Sequence, residues 1–272
     1  MTVPAPGEPL FGVAAKIGRA DALTDELEGR VNEFLVRLGE QAIESRVEPD
    51  HVRHAYRVIM QQPLVPHQIA LLVGDVLHNL RSALDHLARA LVEASGQEAI
   101  DGPGGTTFPV HTLRKRPARL VPSTWPEIDA LVDAVQPYNS PDAERGGHPL
   151  LVLHQLNNTD KHRLLHVAVV AGNGRVVFRD RALHGQPIAA DGKRYVVRML
   201  SGAEQIIPVD EALEVDPEMT GMWLYTVSLN EGPGSWPQGV VGLLRSLRKF
   251  AVDDVISPAD DIMQSRLHAL GD

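Results

Sequence analysis

The chain has 272 residues, of which 43% are hydrophobic and 22% charged, as is usual for a globular protein in water. Its net charge of −9 disfavours broad, non-specific binding to nucleic acid. The sequence has no cysteine, which excludes disulfides and thiolate chemistry and fits a cytoplasmic protein, so we expect that location. Because no apolar run approaches the roughly 20 residues that span a bilayer, we expect no membrane association.

The pattern along the chain predicts helices first, then strands, then one more helix. The Pro- and Gly-rich residues 1–12 predict a disordered start. The predicted helices are 21–43, 71–91, 125–135, 149–162 and 238–255, and the predicted strands are 56–60, 166–170, 175–178, 194–199, 205–209 and 222–229. The turn Ala171-Gly-Asn-Gly174 predicts that the second and third of these strands form a hairpin.

This order of elements is typical of an α+β fold. We expect one domain over residues 1–272, with a mostly helical part (20–163), a β-rich part (164–232) and a C-terminal helix (238–256). The helices, four or five in number, would form a bundle-like layer packed on a mainly antiparallel sheet that the second half of the chain builds.

The long helix at 71–91 has an apolar stripe beside a polar face. At 100° per residue the apolar residues share one face. They are Val73, Val76, Leu77, Leu80, Leu84, Leu87 and Leu91. The polar residues are Asp75, His78, Asn79, Arg81, Asp85 and His86. His78, Arg81 and Asp85 lie together beside the stripe, whereas His86 is roughly 140° from Arg81 and does not meet it on one helical face.

A second polar cluster spans residues 154–166 and predicts the other half of a site. Its candidates for binding a substrate or an anion are Asp160, Lys161, His162 and Arg163. One interpretation is a divalent metal site in a helical bundle, although no His-x-x-x-His or related motif supports it. Its ligands would be His78, Asp85, His154, Asp160 and His162.

A second interpretation is acid–base chemistry without a metal or other cofactor, with catalytic residues on the long helix. His86 or His78 would transfer protons, because imidazole titrates near neutral pH. Arg81, Lys161 or Arg163 would bind the anionic group of a phosphodiester substrate, and Asn79 and Asp85 would lie nearby. A third interpretation is a buried polar network that specifies packing and has no chemical role, in which the chain is a binding protein.

Arg81, four intervening residues and His86 resemble the Arg-x4–6-His motif of HEPN-superfamily ribonucleases, which are helical bundles and commonly dimers. The resemblance implies that His86 transfers the proton at the attacking ribose hydroxyl and that Arg81 stabilises the phosphate charge. It also implies RNA as the substrate and a homodimer whose second protomer supplies the paired motif. The sequence departs from the family at Ser82 and in its β-rich second half.

A longer pattern resembles a broad group of uncharacterised bacterial proteins of about this length. It comprises Gly-Asp-x-x-His-Asn-Leu-Arg-Ser-Ala-Leu-Asp-His at 74–86 and Asn-x-Asp-Lys-His-Arg at 158–163, with Phe108-Pro-Val and Gln136-Pro-Tyr between them. This resemblance supports the position of the site and implies no activity.

Overall fold

A computed structural model gives the structure, and it describes residues 5, 7–40, 45–50, 55–60, 64–142, 144–165, 167–171, 174–176, 196–197, 205–208, 221–222, 225–229 and 239–271. The helices in these ranges are α1 (Phe11–Glu40), α2 (His67–Ala94), α3 (Pro126–Ala134), α4 (Pro149–His162), α5 (Gly239–Phe250) and α6 (Ser257–Gly271). A π-helical segment, Ala251–Ile256, joins α5 to α6, and 3-10 turns occupy Pro137–Asn139 and Arg145–Gly147.

The described strands are short and pair in three separate groups. They are β1 (Ser45–Asp50), β2 (Ala55–Met60), β3 (Val167–Ala171), β4 (Gly174–Val176), β5 (Val196–Val197), β6 (Gln205–Pro208), β7 (Gly221–Met222) and β8 (Tyr225–Leu229). β2 pairs with β1 and β6, β3 with β8, and β4 with β5 and β7, all antiparallel.

The predicted α+β fold class, with a helical layer on one antiparallel sheet, is wrong. The part of the chain that the structure describes is mostly helical, and the described strands do not form a sheet that covers the helices. Among the side chains that the structure describes, the strand residues in the apolar core are Val227 and Leu229 of β8, which packs against α5 and α1. The helices therefore bury their apolar faces mainly against one another, and no sheet is needed to cover them.

The predicted hairpin is also wrong, because β3 and β4 do not pair with each other. Val167 of β3 lies opposite Leu229 of β8, whereas Arg175 of β4 lies opposite Val196 and Met222. The turn-forming residues at 171–174 therefore do not decide which strands pair. Pairing between distant segments decides it, because packing commonly overrides local β-propensity.

The apolar stripe predicted for the long helix is confirmed as the centre of the core. Its seven residues are at most 1% exposed. The contacts of α2 show its neighbours: Gly12 of α1 lies against His86, and the Lys16 ammonium reaches the Asn79 amide oxygen at 3.4 Å. Because the residue number rises on α1 as it falls on α2, the two helices run antiparallel.

The two ends of the chain are more helical than the sequence predicts. Leu10 is 5% exposed and α1 begins at Phe11, so the predicted disorder of residues 1–12 is wrong at its C-terminal end. At the other end Pro258 favours a helix stop near Val255. Instead the chain passes through the π segment, and Pro258 lies in the first turn of α6, where proline is tolerated.

The loop before α3 is held by one buried amide. Gln136 is fully buried, and its Oε1 accepts from the His111 backbone amide at 2.9 Å. Its Nε2 donates to the carbonyl oxygens of Pro109 (3.1 Å) and Val132 (2.9 Å). One side chain therefore ties the segment Phe108–His111 to the end of α3.

We expect Gln136→Met to lower the free energy of unfolding by about 2 kcal/mol, because a buried carbonyl and a buried amide lose their partners. Urea unfolding followed by circular dichroism measures this change. The matched control is Gln155→Met on the exposed face of α4, which should leave stability unchanged. An equal effect of both substitutions would contradict the role of Gln136.

Candidate functional site

The candidate site begins with a closed ring of hydrogen bonds around Arg81. Its Nη2 donates to the Phe108 carbonyl oxygen at 2.6 Å and to Oδ1 of Asp85 at 2.8 Å. The Phe108 amide donates to the same Oδ1 at 2.9 Å. Arg81 and Asp85 are one turn apart on α2, so both reach the same peptide. The pair therefore holds the Phe108 backbone against the helix.

Arg81 is only 9% exposed, and its pKa is lowered by burial, an effect that Asp85 opposes. A guanidinium still remains charged in such surroundings, because its pKa starts above 12. Within the described part of the chain its Nη1 is buried and has no hydrogen-bond partner. The site thus contains a buried cation with one unused donor.

His154 of α4 is the titratable group whose pKa is lowered by the charge of this cation. It is half-buried, and its Nε2 lies 3.0 Å from the Asn158 side-chain nitrogen. Because an amide nitrogen only donates, Nε2 accepts in this arrangement, and a neutral ring carries its proton on Nδ1. Burial, then the charges of Arg81 and Lys161, lower the pKa of His154, and Asp85 partly offsets them. The imidazole is therefore held neutral near pH 7.

Asp160, in the last turn of α4, lies directly against the backbone of α2. A Cβ added to Gly74 would overlap the Asp160 carboxylate, so only glycine leaves this space. Burial raises the pKa of Asp160, the charge of Asp75 raises it further, and His78 lowers it. Gly74 meets Asp160 and Arg81 meets His154, so α2 and α4 are antiparallel. We call the polar side chains along this contact the α2–α4 seam: Asp75, His78, Arg81, Asp85, His154 and Asp160.

The structure does not bring Arg81 and His86 together within one chain. Arg81 reaches Phe108, whereas the exposed His86 lies beside Gly12, whose added Cβ would approach the His86 Nδ1 to 2.7 Å. This confirms the angular separation expected from the helical wheel. Asn79 is buried, and its side-chain nitrogen donates to the Asp75 carbonyl oxygen at 2.8 Å, so it stabilises α2 rather than facing the seam.

The remaining predicted residues lie at the C-terminal end of α4. Lys161, His162 and Arg163 are all exposed. Lys161 is close enough to His154 to lower its pKa, which places it beside the seam. Arg163 ends the helix, and its backbone amide donates to the Thr159 carbonyl oxygen at 3.0 Å. Lys161 is therefore linked to the seam through its effect on His154.

The alternative metal site receives no geometric support. Among the described residues there is no group of three or more His, Asp or Glu side chains placed to hold a metal ion. The five candidates divide between the two ends of the seam, Asp160 with His78 and His154 with Asp85, and His162 is exposed.

Sequence reasoning missed three residues that shape the site. Phe108 supplies the backbone that Arg81 and Asp85 grip, Gln136 holds the same segment from its other side, and Gly74 receives Asp160. All three belong to the longer pattern quoted above. The available signal was the position of Gln136 between the apolar residues Val135 and Pro137 at a helix end. A glutamine in that position predicts a buried amide with backbone partners.

Comparison of the chain with family models, curated proteins and solved structures finds no match. The two resemblances noted in the sequence therefore stay predictions, and the site is interpreted from its geometry. None of the helices in the described part of the chain has the length and apolarity that a membrane crossing requires.

We expect Arg81→Met to lower the free energy of unfolding by about 3 kcal/mol, because it leaves Asp85 and the Phe108 carbonyl oxygen without their cation. The matched control is Arg89→Met on the same helix. Arg89 pairs with Glu93 at the same spacing but is exposed, so its loss should not change stability measurably. Denaturant unfolding of both variants tests this, and equal effects would contradict a stabilising ring.

Stability should fall on acidification in a way that His154 partly controls. Because its pKa in the folded state lies below the ordinary value of 6.5, the unfolded chain binds the extra proton first. Its contribution is complete above pH 6.5 and is lost as the pH falls toward the folded-state pKa. His154→Gln should therefore make the melting temperature depend less on pH below pH 6.5.

His148, at the other end of α4, has a pKa lowered by burial and should contribute separately. His148→Gln should also make the melting temperature depend less on pH, and its effect should add to that of His154→Gln. If the slope between pH 6.5 and 5 is identical in wild type and His154→Gln, the inferred environment of His154 is wrong.

Proposed function

We propose that the chain is a cytoplasmic ribonuclease that cleaves single-stranded RNA by acid–base chemistry of its own side chains. His154 accepts the proton of the attacking ribose 2′-hydroxyl, and Lys161 binds the phosphate. The observation that carries the proposal is the half-buried imidazole of His154, which lies close enough to the buried guanidinium of Arg81 for that charge to lower its pKa.

A general base must be unprotonated at working pH and reach the proton that it removes. Burial and the charges of Arg81 and Lys161 keep the imidazole neutral by lowering its pKa. Its Nε2 now accepts from Asn158, and a substrate hydroxyl would take the place of that amide. Arg81 acts through His154 in this account, since its Nη2 is already engaged by Phe108 and Asp85.

An anionic substrate fits the charges around His154. Lys161 is exposed and near the imidazole, and a phosphate bound there would meet an ammonium beside the base. The HEPN resemblance implies a helical bundle and RNA cleavage, and a mostly helical fold supports it. Arg81 is buried and its Nη2 is engaged within its own chain, so this proposal takes its base and its cation from one chain. The homodimer that the HEPN resemblance implies stays a prediction.

The test is cleavage of a labelled single-stranded RNA and of its 2′-deoxy counterpart by full-length protein, with and without a chelator. We expect that the RNA is cleaved and that its 2′-deoxy counterpart is not. The products should carry a 2′,3′-cyclic phosphate, and the chelator should have no effect. His154→Gln should reduce kcat about 100-fold, because general-base catalysis contributes at least that much. Lys161→Ala should chiefly raise KM.

His67→Gln at the exposed start of α2 is the matched control and should retain activity. Equal activity of wild type and His154→Gln would point to a contaminant and contradict the proposal, as would cleavage of the 2′-deoxy substrate. Loss of activity with the chelator would favour the alternative metal site, in which the chain would be a metal-dependent hydrolase or oxygenase.

The second candidate is a binding protein whose polar cluster is structural. The closed ring of Arg81, Asp85 and Phe108 favours it, because Arg81 donates to a carboxylate and a carbonyl oxygen of the protein itself, and both of these groups hold the Phe108 peptide. This candidate predicts no cleavage of either substrate by any variant.

A further inference from the structure

The loop that precedes α3 concentrates positive charge in an acidic chain. Residues 102–126 contain four of the chain's 26 Lys and Arg residues and no Asp or Glu, whereas the whole chain carries a net charge of −9. These four cations are exposed, and they are Arg114, Lys115, Arg116 and Arg119. We call residues 111–119 the basic loop. Because a net negative protein repels other anions from most of its surface, a polyanion would be directed to this loop.

One of the four cations is neutralised within the chain. Arg114 donates from Nη2 to Oδ2 of Asp133 at 2.9 Å, and its guanidinium lies over the Tyr138 ring, 5.6 Å from the ring centre. Within the described part of the chain the other three form no ion pair, and these are Lys115, Arg116 and Arg119. Their charges are therefore open to a partner from outside the chain.

The backbone of the basic loop is fixed at both ends. At its start the His111 amide donates to Oε1 of Gln136 at 2.9 Å. At its end the Ala118 amide donates to Oδ1 of Asp133 at 2.9 Å and to the Tyr138 hydroxyl oxygen at 3.1 Å. A loop that only meets water gains nothing from such fixation, whereas a binding loop does, because less freedom is lost when the partner arrives.

We propose that the basic loop binds the phosphate backbone of single-stranded RNA outside the point of cleavage, an inference that rests on the proposed ribonuclease activity. The loop leads directly from the candidate site, because Arg81 and Asp85 hold the Phe108 peptide just before it. Arg116 follows Phe108 by eight residues, at most about 28 Å of extended chain. Lys115 and Arg116 each contact one phosphate, which gives affinity without a preference for sequence.

The number of open charges favours a nucleic-acid strand over a membrane surface. Polybasic segments that bind anionic membranes carry roughly four to eight Lys and Arg residues, and they usually lie beside a membrane-spanning or amphipathic helix. The basic loop offers three open cations on an irregular segment between the folded helices α2 and α3. A few phosphate contacts are enough to guide a strand that the candidate site also binds.

The experiment is fluorescence anisotropy of a labelled single strand of 2′-deoxynucleotides, which carries the same phosphates and is not cleaved under the proposed mechanism. Lys115→Gln combined with Arg116→Gln should raise Kd about tenfold at low salt. The slope of log Kd against log salt concentration should fall by about 1.4, because each phosphate contact to a single strand contributes about 0.7.

A second variant tests the fixation of the loop without changing its charge. Tyr138→Phe removes one acceptor of the Ala118 amide and keeps every cation. It should raise Kd about threefold, because a looser loop must be ordered on binding, and it should leave the salt slope unchanged.

The matched control is Arg19→Gln combined with Arg30→Gln, which removes the same charge from exposed positions on α1 and should leave Kd and the salt slope unchanged. Equal effects of the two double variants would show that net charge governs binding and would overturn the role of the basic loop. No binding of the strand by the wild type would overturn it as well, and so would a loop variant that loses binding only to vesicles containing phosphatidylserine.

Cleavage of RNA by the wild type separates this inference from the proposed function. If the wild type cleaves RNA and the loop variant binds the strand as tightly as the wild type does, the basic loop is not the binding surface and the ribonuclease proposal stands. If the loop variant loses binding and the wild type cleaves no RNA, the binding surface stands and the ribonuclease proposal fails.

Discussion

The ring of hydrogen bonds between Arg81, Asp85 and the Phe108 peptide is the interaction on which the rest of the site depends. Arg81 is the one charged residue that the described part of the chain buries almost completely. A buried guanidinium is tolerated when its charge is partnered, and the ring supplies a carboxylate and a carbonyl oxygen. The same ring fixes the loop and sets the cation beside His154.

The α2–α4 seam combines groups that stabilise the fold with groups that oppose it. The ring and the Gln136 amide hold the Phe108 segment from two sides. For Asp160, burial and the charge of Asp75 instead raise the pKa, so the folded state disfavours its ionised form. The contrast separates two kinds of polar residue in one helix contact, and it directs the search for chemistry toward His154 rather than toward Arg81.

Periodicity predicted the helices near the site well, because burial of an apolar stripe leaves a strong local pattern. The α4 bounds and the buried stripe of α2 are confirmed. The sheet and the hairpin were wrong because strand pairing joins distant segments, and the turn at 171–174 does not choose the partner. The hydrogen bond from Arg81 to the Phe108 carbonyl oxygen joins residues that are 27 apart in the sequence. Because its acceptor is a backbone group, no pattern of residue types encodes it.

Hydrogen exchange at the Phe108 amide, followed by NMR, tests the ring most directly. This amide lies in a loop yet donates to a carboxylate that Arg81 holds in place. The account predicts that it exchanges only when the whole protein unfolds, with the same free energy as the core amides of α2, and that Asp85→Ala, which removes the acceptor, abolishes this protection. Exchange at the rate of an open loop in the wild type would contradict it.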